Sequence, residues 1–182
     1  MSLSLRQLPN AICVVRILLV WPIVMLMLDG KYQMALAVVI IAGASDGVDG
    51  FLAKQFGWQT RLGGLLDPIA DKLLLICLFL TLTWLGLTPL WLTLVVLGRD
   101  LVILAGAVAF NFLVRKVHGE PSKISKLNTF IQLIYVFSIL SLEAFAWPPA
   151  IVPLLMGAAV LVTSVVSGLD YVLTWSQRAR AA

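Results

Sequence analysis

A chain of 182 residues that is 61% hydrophobic and only 12% charged, with a mean hydropathy of +1.03, cannot hide its apolar surface inside a water-soluble domain. The formal net charge of +4 rests on basic residues beside apolar runs, which favours a membrane surface and argues against nucleic acid. Two cysteines, Cys13 and Cys77, both lie in apolar runs; they imply no disulfide framework and read as buried free thiols.

The expected fold is an all-α integral membrane protein with six transmembrane helices and a polar cavity facing the cytoplasm. Residues 1–182 form one expected domain, since no Pro-rich, Ser-rich or charge-run linker divides them and no internal repeat is visible. The start, MSLSLRQLPN, lacks a small-residue cleavage site after a short apolar core, so no cleavable signal is expected. Residues 1–9 alternate apolar and polar up to Pro9 and suit a short interfacial helix or turn. The first span is predicted from about Asn10 to Leu28 and carries Arg16, a cation that must find a partner or snorkel. The second runs from about Tyr32 to Lys54 and the third from about Gly64 to Leu85. GLTP at 86–89 breaks the apolar run. The fourth span runs from about Leu90 to Val114, the fifth from about Ser122 to Glu143 and the sixth from about Pro149 to Thr174. Trp147, in WPP at 147–149, is placed for an interface.

One border collects Arg6, Lys54, Arg61, Arg115, Lys116, Lys123, Lys126, Arg178 and Arg180, whereas the other holds Lys31 with Asp29 and Glu143 nearby. The positive-inside rule makes the first border, and both termini, cytoplasmic. His118 falls in a cytoplasmic loop and reads as solvated. Asp46 lies eight residues before Lys54, Asp71 ten after Arg61 and Asp170 eight before Arg178, so each sits roughly 12–15 Å inside the basic border.

The stretch SDGVDGFLAKQFGWQTRLGGLLDPIADK over 45–72 places Asp46, Asp49, Asp67 and Asp71 in an otherwise apolar chain. On a helix Asp46 and Asp49 are i and i+3, and Asp67 and Asp71 are i and i+4, so each pair shares a face. Two helix ends joined by a short basic loop can aim all of them at one spot. Clustered carboxylates cannot stay ionised at low dielectric without cations, and hard oxygen ligands call for Mg²⁺ or Mn²⁺. Two such ions a few ångströms apart form the clamp used for in-line displacement at phosphorus. Pro68 either opens the regular part of the third helix, with Asp67 as its cap, or interrupts it. The same acids would also suit a cation or proton transporter. Against that, no inverted repeat appears, and the acids come from one helix–loop–helix near one border.

The spacing D-x2-D-G-x2-A-K-x8-G-x3-D-x3-D closely resembles the signature of the CDP-alcohol phosphatidyltransferases, integral membrane enzymes that make phospholipids. Asp46, Asp49, Gly50, Ala53, Gly63, Asp67 and Asp71 match it; Lys54 departs, standing where the family usually has Arg, and so loses the two-pronged fork. The resemblance implies transfer of a phosphatidyl group from CDP-diacylglycerol to an alcohol, with CMP leaving. Asp46, Asp49 and Asp67 are then expected to ligate two divalent cations, Mg²⁺ or Mn²⁺. Asp71 is expected to act as general base and to share in metal ligation. Gly47, Gly50, Ala53, Lys54 and Gly63 would serve the nucleotide end of the donor, with the small residues letting it approach the backbone. Gly47 with Gly43 equally fits small-xxx-small helix packing.

Outside the signature, LPNAICVVRI at 8–17, GRD at 98–100 and ISKLNTFIQL at 124–133, together with LDPIADK at 66–72, are similar to the cardiolipin synthases of the CMP-forming type. That likeness points to phosphatidylglycerol as the acceptor, with glycerol 3-phosphate as the alternative. Lys126, and secondarily Lys123, would hold a substrate phosphate at the start of the fifth helix. Arg99, inside the fourth span, needs an anion, for which the phosphate site and Asp170 are the two expectations; Asp100, its neighbour in sequence, is not expected to share its helix face. The resemblance further implies a homodimer; the charge pattern puts the active site on the cytoplasmic side, and the membrane is expected to be a bacterial inner membrane.

Overall fold

An apolar run in a bilayer has no hydrogen-bond partner for its backbone but itself, and each run of this chain folds as one helix. The computed structural model describes residues 8–55, 63–113 and 123–180, with side-chain surroundings described over 14–45, 70–105 and 124–174. The helices are α1 (Leu8–Leu28), α2 (Tyr32–Gln55), α3 (Gly63–Trp84), α4 (Leu90–Leu113), α5 (Lys123–Phe145) and α6 (Ile151–Arg180), and no strand occurs among the described residues. Residues 1–7, the loop containing Arg61, and the loop containing Arg115, Lys116 and His118 lie outside the described residues.

Two boundaries differ from expectation for physical reasons. Helix α6 continues to Arg180, past the apolar limit at Thr174, because backbone hydrogen bonding does not stop where hydropathy does and Gln, Arg and Ala are good helix formers. Leu8 and Pro9, expected in the interfacial turn, open α1 instead; a proline in the first turn has no intrahelical donor to lose. Helix α3 begins at Gly63, so Asp67 is not its cap and Pro68 lies inside it, with no N–H to give the carbonyl of Gly64. Pro22 likewise lies inside α1.

The turn after α1 is a Schellman motif. Gly30 takes φ +72° and its N–H reaches the Met27 carbonyl at 3.1 Å, while the Lys31 N–H reaches that of Leu26 at 2.8 Å. Gly86, at φ +75°, takes the left-handed conformation just after α3, and Leu92 N–H to the Pro89 carbonyl at 3.0 Å starts α4.

The chain forms two compact units. The first comprises residues Met1–Leu85 and Leu140–Trp147. In it α1 packs against both α2 and α3. One stripe of α1, Val20, Ile23 and Met27, is buried, as are Leu75, Leu78 and Leu82 on α3. Gln33 Nε2 donates to the Ala144 carbonyl at 3.1 Å, tying the end of α5 to the start of α2. The second unit comprises Gly86–Ile139 and Pro148–Ala182, with α4 packed against α6. There Gly157 lets α6 approach Tyr135 so closely that a Cβ would stand 3.2 Å from its ring, and the Tyr135 and Thr88 hydroxyls hydrogen-bond at 3.1 Å.

Candidate active site

Helix α2 carries Asp46 and Asp49 near its C-terminal end, and α3 carries Asp67 and Asp71 in its first turns. The side chains of Asp46, Asp49, Asp67, Lys54 and Lys123, and the surroundings of Gly47, Gly50, Ala53 and Gly63, lie outside those described. Among the described residues no three metal-ligating side chains gather, since only Asp71 of the four acids is among them.

Asp71 is held from α1. Arg16 Nη1 donates to Asp71 Oδ1 at 2.7 Å; the arginine side chain is 1% exposed and the aspartate 39%. The lone charge of α1 therefore finds a partner and does not snorkel. Arg16 was the residue of this site that spacing alone could not assign, because its partner stands 55 positions away. The donor set nonetheless suits a divalent ion. Its members are all carboxylates, paired by helical spacing on two successive helices, and the described one retains exposure. Gly43 is exposed, with nothing within 4 Å of a Cβ built on it, while the surroundings of Gly47, its expected companion in helix packing, lie outside those described.

In the second unit Arg99 is buried and its guanidinium joins three helices. Nη1 donates to Asp100 Oδ1 at 2.5 Å, Nη2 to Ser125 Oγ on α5 at 2.5 Å, and Nε and Nη2 both to Ser167 Oγ on α6. Asp100, which was not expected to share the helix face of Arg99, is its ion-pair partner all the same. Adjacent helical residues point about 100° apart, yet the long arginine side chain folds across that gap, and burial makes the pairing worth keeping. The bonds among described residues do not include Asp170, which is half-buried. Ser125 and Ser167 carried no signal in the sequence, since a serine within a span is ordinary helix surface until its neighbour is known.

The ISKLNTFIQL stretch divides by face. Lys126 is exposed at the start of α5, whereas Asn128 and Gln132 are buried. Asn128 Oδ1 accepts from Thr163 Oγ1 at 2.8 Å and Ser164 Oγ at 3.0 Å on α6. Among the described residues the Gln132 Nε2 has no hydrogen-bond partner.

The fold is all-helical, and two stretches, Ile124–Phe145 and Ile151–Thr174, are long and apolar enough to cross a membrane. The family profile of the CDP-alcohol phosphatidyltransferases matches residues 6–174, across both units, and the chain belongs to that family. The chain is 31% identical to the cardiolipin synthase (CMP-forming) of Rattus norvegicus over 90% of its own length and 59% of the relative's. The Homo sapiens cardiolipin synthase (CMP-forming) gives 31% over 90% of this chain and 60% of the relative. The chain thus spans about six-tenths of the length of these two relatives. It is also 31% identical to the CDP-diacylglycerol–glycerol-3-phosphate 3-phosphatidyltransferase of Rickettsia typhi, over 76% of this chain and 78% of that one.

Proposed function

We propose that this protein transfers a phosphatidyl group from CDP-diacylglycerol to phosphatidylglycerol, giving cardiolipin and CMP. The observation that carries the reading is the family match over residues 6–174 together with the aspartate spacing inside it. Asp46, Asp49 and Asp67 hold two divalent cations, which when bound supply charge neutralisation at the donor diphosphate. Asp71 takes the proton of the acceptor hydroxyl as the acceptor oxygen attacks the lipid-side phosphorus, and the bond to CMP breaks. Gly47, Gly50 and Ala53 with Lys54 and Gly63 receive the nucleotide. Lys126 and Lys123 supply positive charge to substrate phosphates, and the Lys126 side chain is exposed; Arg99, expected to join them, is buried with its guanidinium bonded to Asp100, Ser125 and Ser167.

Similarity to the cardiolipin synthases over 90% of the chain supports the lipid acceptor. So does the basic set, which is thin for a soluble, doubly charged acceptor. The second reading, glycerol 3-phosphate as acceptor, is favoured by the Rickettsia typhi relative, which the match covers over 78% of its own length. The transporter reading has no support from the family.

We read all six helices as spans of a bacterial inner membrane, with both termini and the active site cytoplasmic. Large apolar residues exposed on every helix support this. Examples are Trp21 at 69%, Trp84 at 83% and Leu154 at 67%, areas a water-soluble protein would not leave open. A homodimer belongs to the same reading.

The test offers the purified protein CDP-diacylglycerol, Mg²⁺ or Mn²⁺, and either phosphatidylglycerol or glycerol 3-phosphate in parallel. The expected result is CMP release and cardiolipin with phosphatidylglycerol. Product with glycerol 3-phosphate alone overturns the acceptor and leaves the aspartate chemistry standing.

A further inference from the structure

We propose that Arg16 is the positioning residue for Asp71 in the transfer reaction. The inference rests on the reading of Asp71 as the general base.

Its ground is the way two buried stripes line up. On α1, Arg16 precedes Val20, Ile23 and Met27 at i+4, i+7 and i+11, so it continues the buried stripe of that helix. On α3, Asp71 precedes Leu75, Leu78 and Leu82 at the same offsets and continues the buried stripe there. Helix α1 packs against α3, and the Arg16–Asp71 pair at 2.7 Å lies in line with these apolar positions. The position of the guanidinium is thereby set by the seam of two helices and not by a flexible loop.

The pair is asymmetric in a way that suits function more than stability. Arginine is 1% exposed, aspartate 39%. A buried ion pair is weak evidence for stability, because desolvating both charges offsets their attraction, and an apolar pair of similar volume often does as well. Here the cation bears nearly the full burial while the carboxylate remains partly exposed. The Nη1–H of a planar, buried guanidinium restrains a carboxylate oxygen in direction as well as distance, which a rotating lysine ammonium does less well. Rotation of the aspartate carboxylate is intrinsically soft, so without such a restraint its angle toward an incoming hydroxyl would be loose.

In the step itself, the acceptor O–H proton passes to Asp71. The acceptor oxygen forms its bond to the lipid-side phosphorus, and the phosphorus–oxygen bond to CMP breaks with its electron pair leaving on CMP. In this step Arg16 meets only the Asp71 carboxylate, through Oδ1, and takes no part in the bonds to the phosphorus. It acts by fixing the angle at which Asp71 meets the hydroxyl, and misplacement by about 1 Å costs on the order of 10²-fold in rate.

The test uses the full chain in lipid nanodiscs with Arg16→Gln, Arg16→Lys, Asp71→Asn and the double variant Arg16→Gln/Asp71→Asn. Both kcat and equilibrium binding of CDP-diacylglycerol are measured. Arg16→Gln is expected to lower kcat on the order of 10²-fold while donor binding holds. Arg16→Lys recovers part of the loss, and the double variant is no slower than Asp71→Asn alone. Unchanged kcat in Arg16→Gln, donor binding lost in step with kcat, or a double variant slower than Asp71→Asn would each overturn the inference. Should Arg16→Gln fail to fold, Arg16→Lys decides: reduced kcat with intact donor binding supports the role, and unchanged kcat or lost binding overturns it. A wild-type protein that releases no CMP with either acceptor overturns the functional reading and this inference together, an outcome distinct from any pattern among the variants.

Discussion

Ser167 Oγ accepts from two nitrogens of Arg99, standing 3.2 Å from Nε and 2.7 Å from Nη2. The bonds come from α4 to α6, and the same guanidinium reaches Ser125 on α5, so one side chain joins three helices of the second unit. With Asp100 paired beside it, the charge is offset inside a region where water does not compete.

Removing one member of that pair should therefore cost more than removing both. Arg99→Met leaves Asp100, 8% exposed, as a buried charge without its arginine, a loss of about 3–5 kcal/mol. The double variant Arg99→Met/Asp100→Leu is expected to recover most of it. Thermal unfolding of the purified protein in detergent checks the order; a double variant less stable than the single would contradict it.

The aspartates make a different kind of prediction. Asp46→Ala, Asp49→Ala and Asp67→Ala should each abolish CMP release while the protein still inserts, because each removes a proposed metal ligand. Mn²⁺ binding followed by electron paramagnetic resonance should weaken in parallel. Near-normal turnover in any one would remove that residue from the ligand set.

Lys126 tests the acceptor side. It is exposed at the start of α5, where a cation and the helix N-terminus both attract phosphate. Lys126→Ala is expected to raise KM for the acceptor more than for CDP-diacylglycerol, with kcat little changed. Equal rises in both constants would assign it to the general charge of the surface.

Gln132 should be dispensable for stability. Its Nε2 is buried with no hydrogen-bond partner among the described residues, and such a donor costs about 1–3 kcal/mol relative to one that is satisfied. Gln132→Leu keeps much of the volume and removes the donor, so the unfolding midpoint is expected to rise. A lower midpoint would mean that the amide is satisfied in the membrane.

Gly157 should resist enlargement. The ring of Tyr135 would lie 3.2 Å from an added Cβ, and Tyr135 is itself tied to Thr88. Gly157→Val is expected to cost about 1–3 kcal/mol through overpacking, read again in the unfolding midpoint. The exposed Gly43, with open space around it, should accept alanine at little cost to stability.

The positions of six helices were legible in the sequence, because apolar runs between Gly and Pro breaks dictate helix under bilayer rules and those breaks are local chemistry. So was the aspartate motif, since its spacing is read along the chain and belongs to a family whose profile covers residues 6–174. The partners of charge were not. Arg16 required an anion by its burial, but that Asp71 supplies it follows only from α1 packing on α3, which brings together residues 55 apart. Arg99 needed an anion too, and helix-face reasoning pointed away from Asp100, which the fold provides along with two serines no pattern marks. Local periodicity says which face of a helix is apolar. Which polar group on another helix stands opposite a buried charge depends on packing and register, and those exist only once the helices meet.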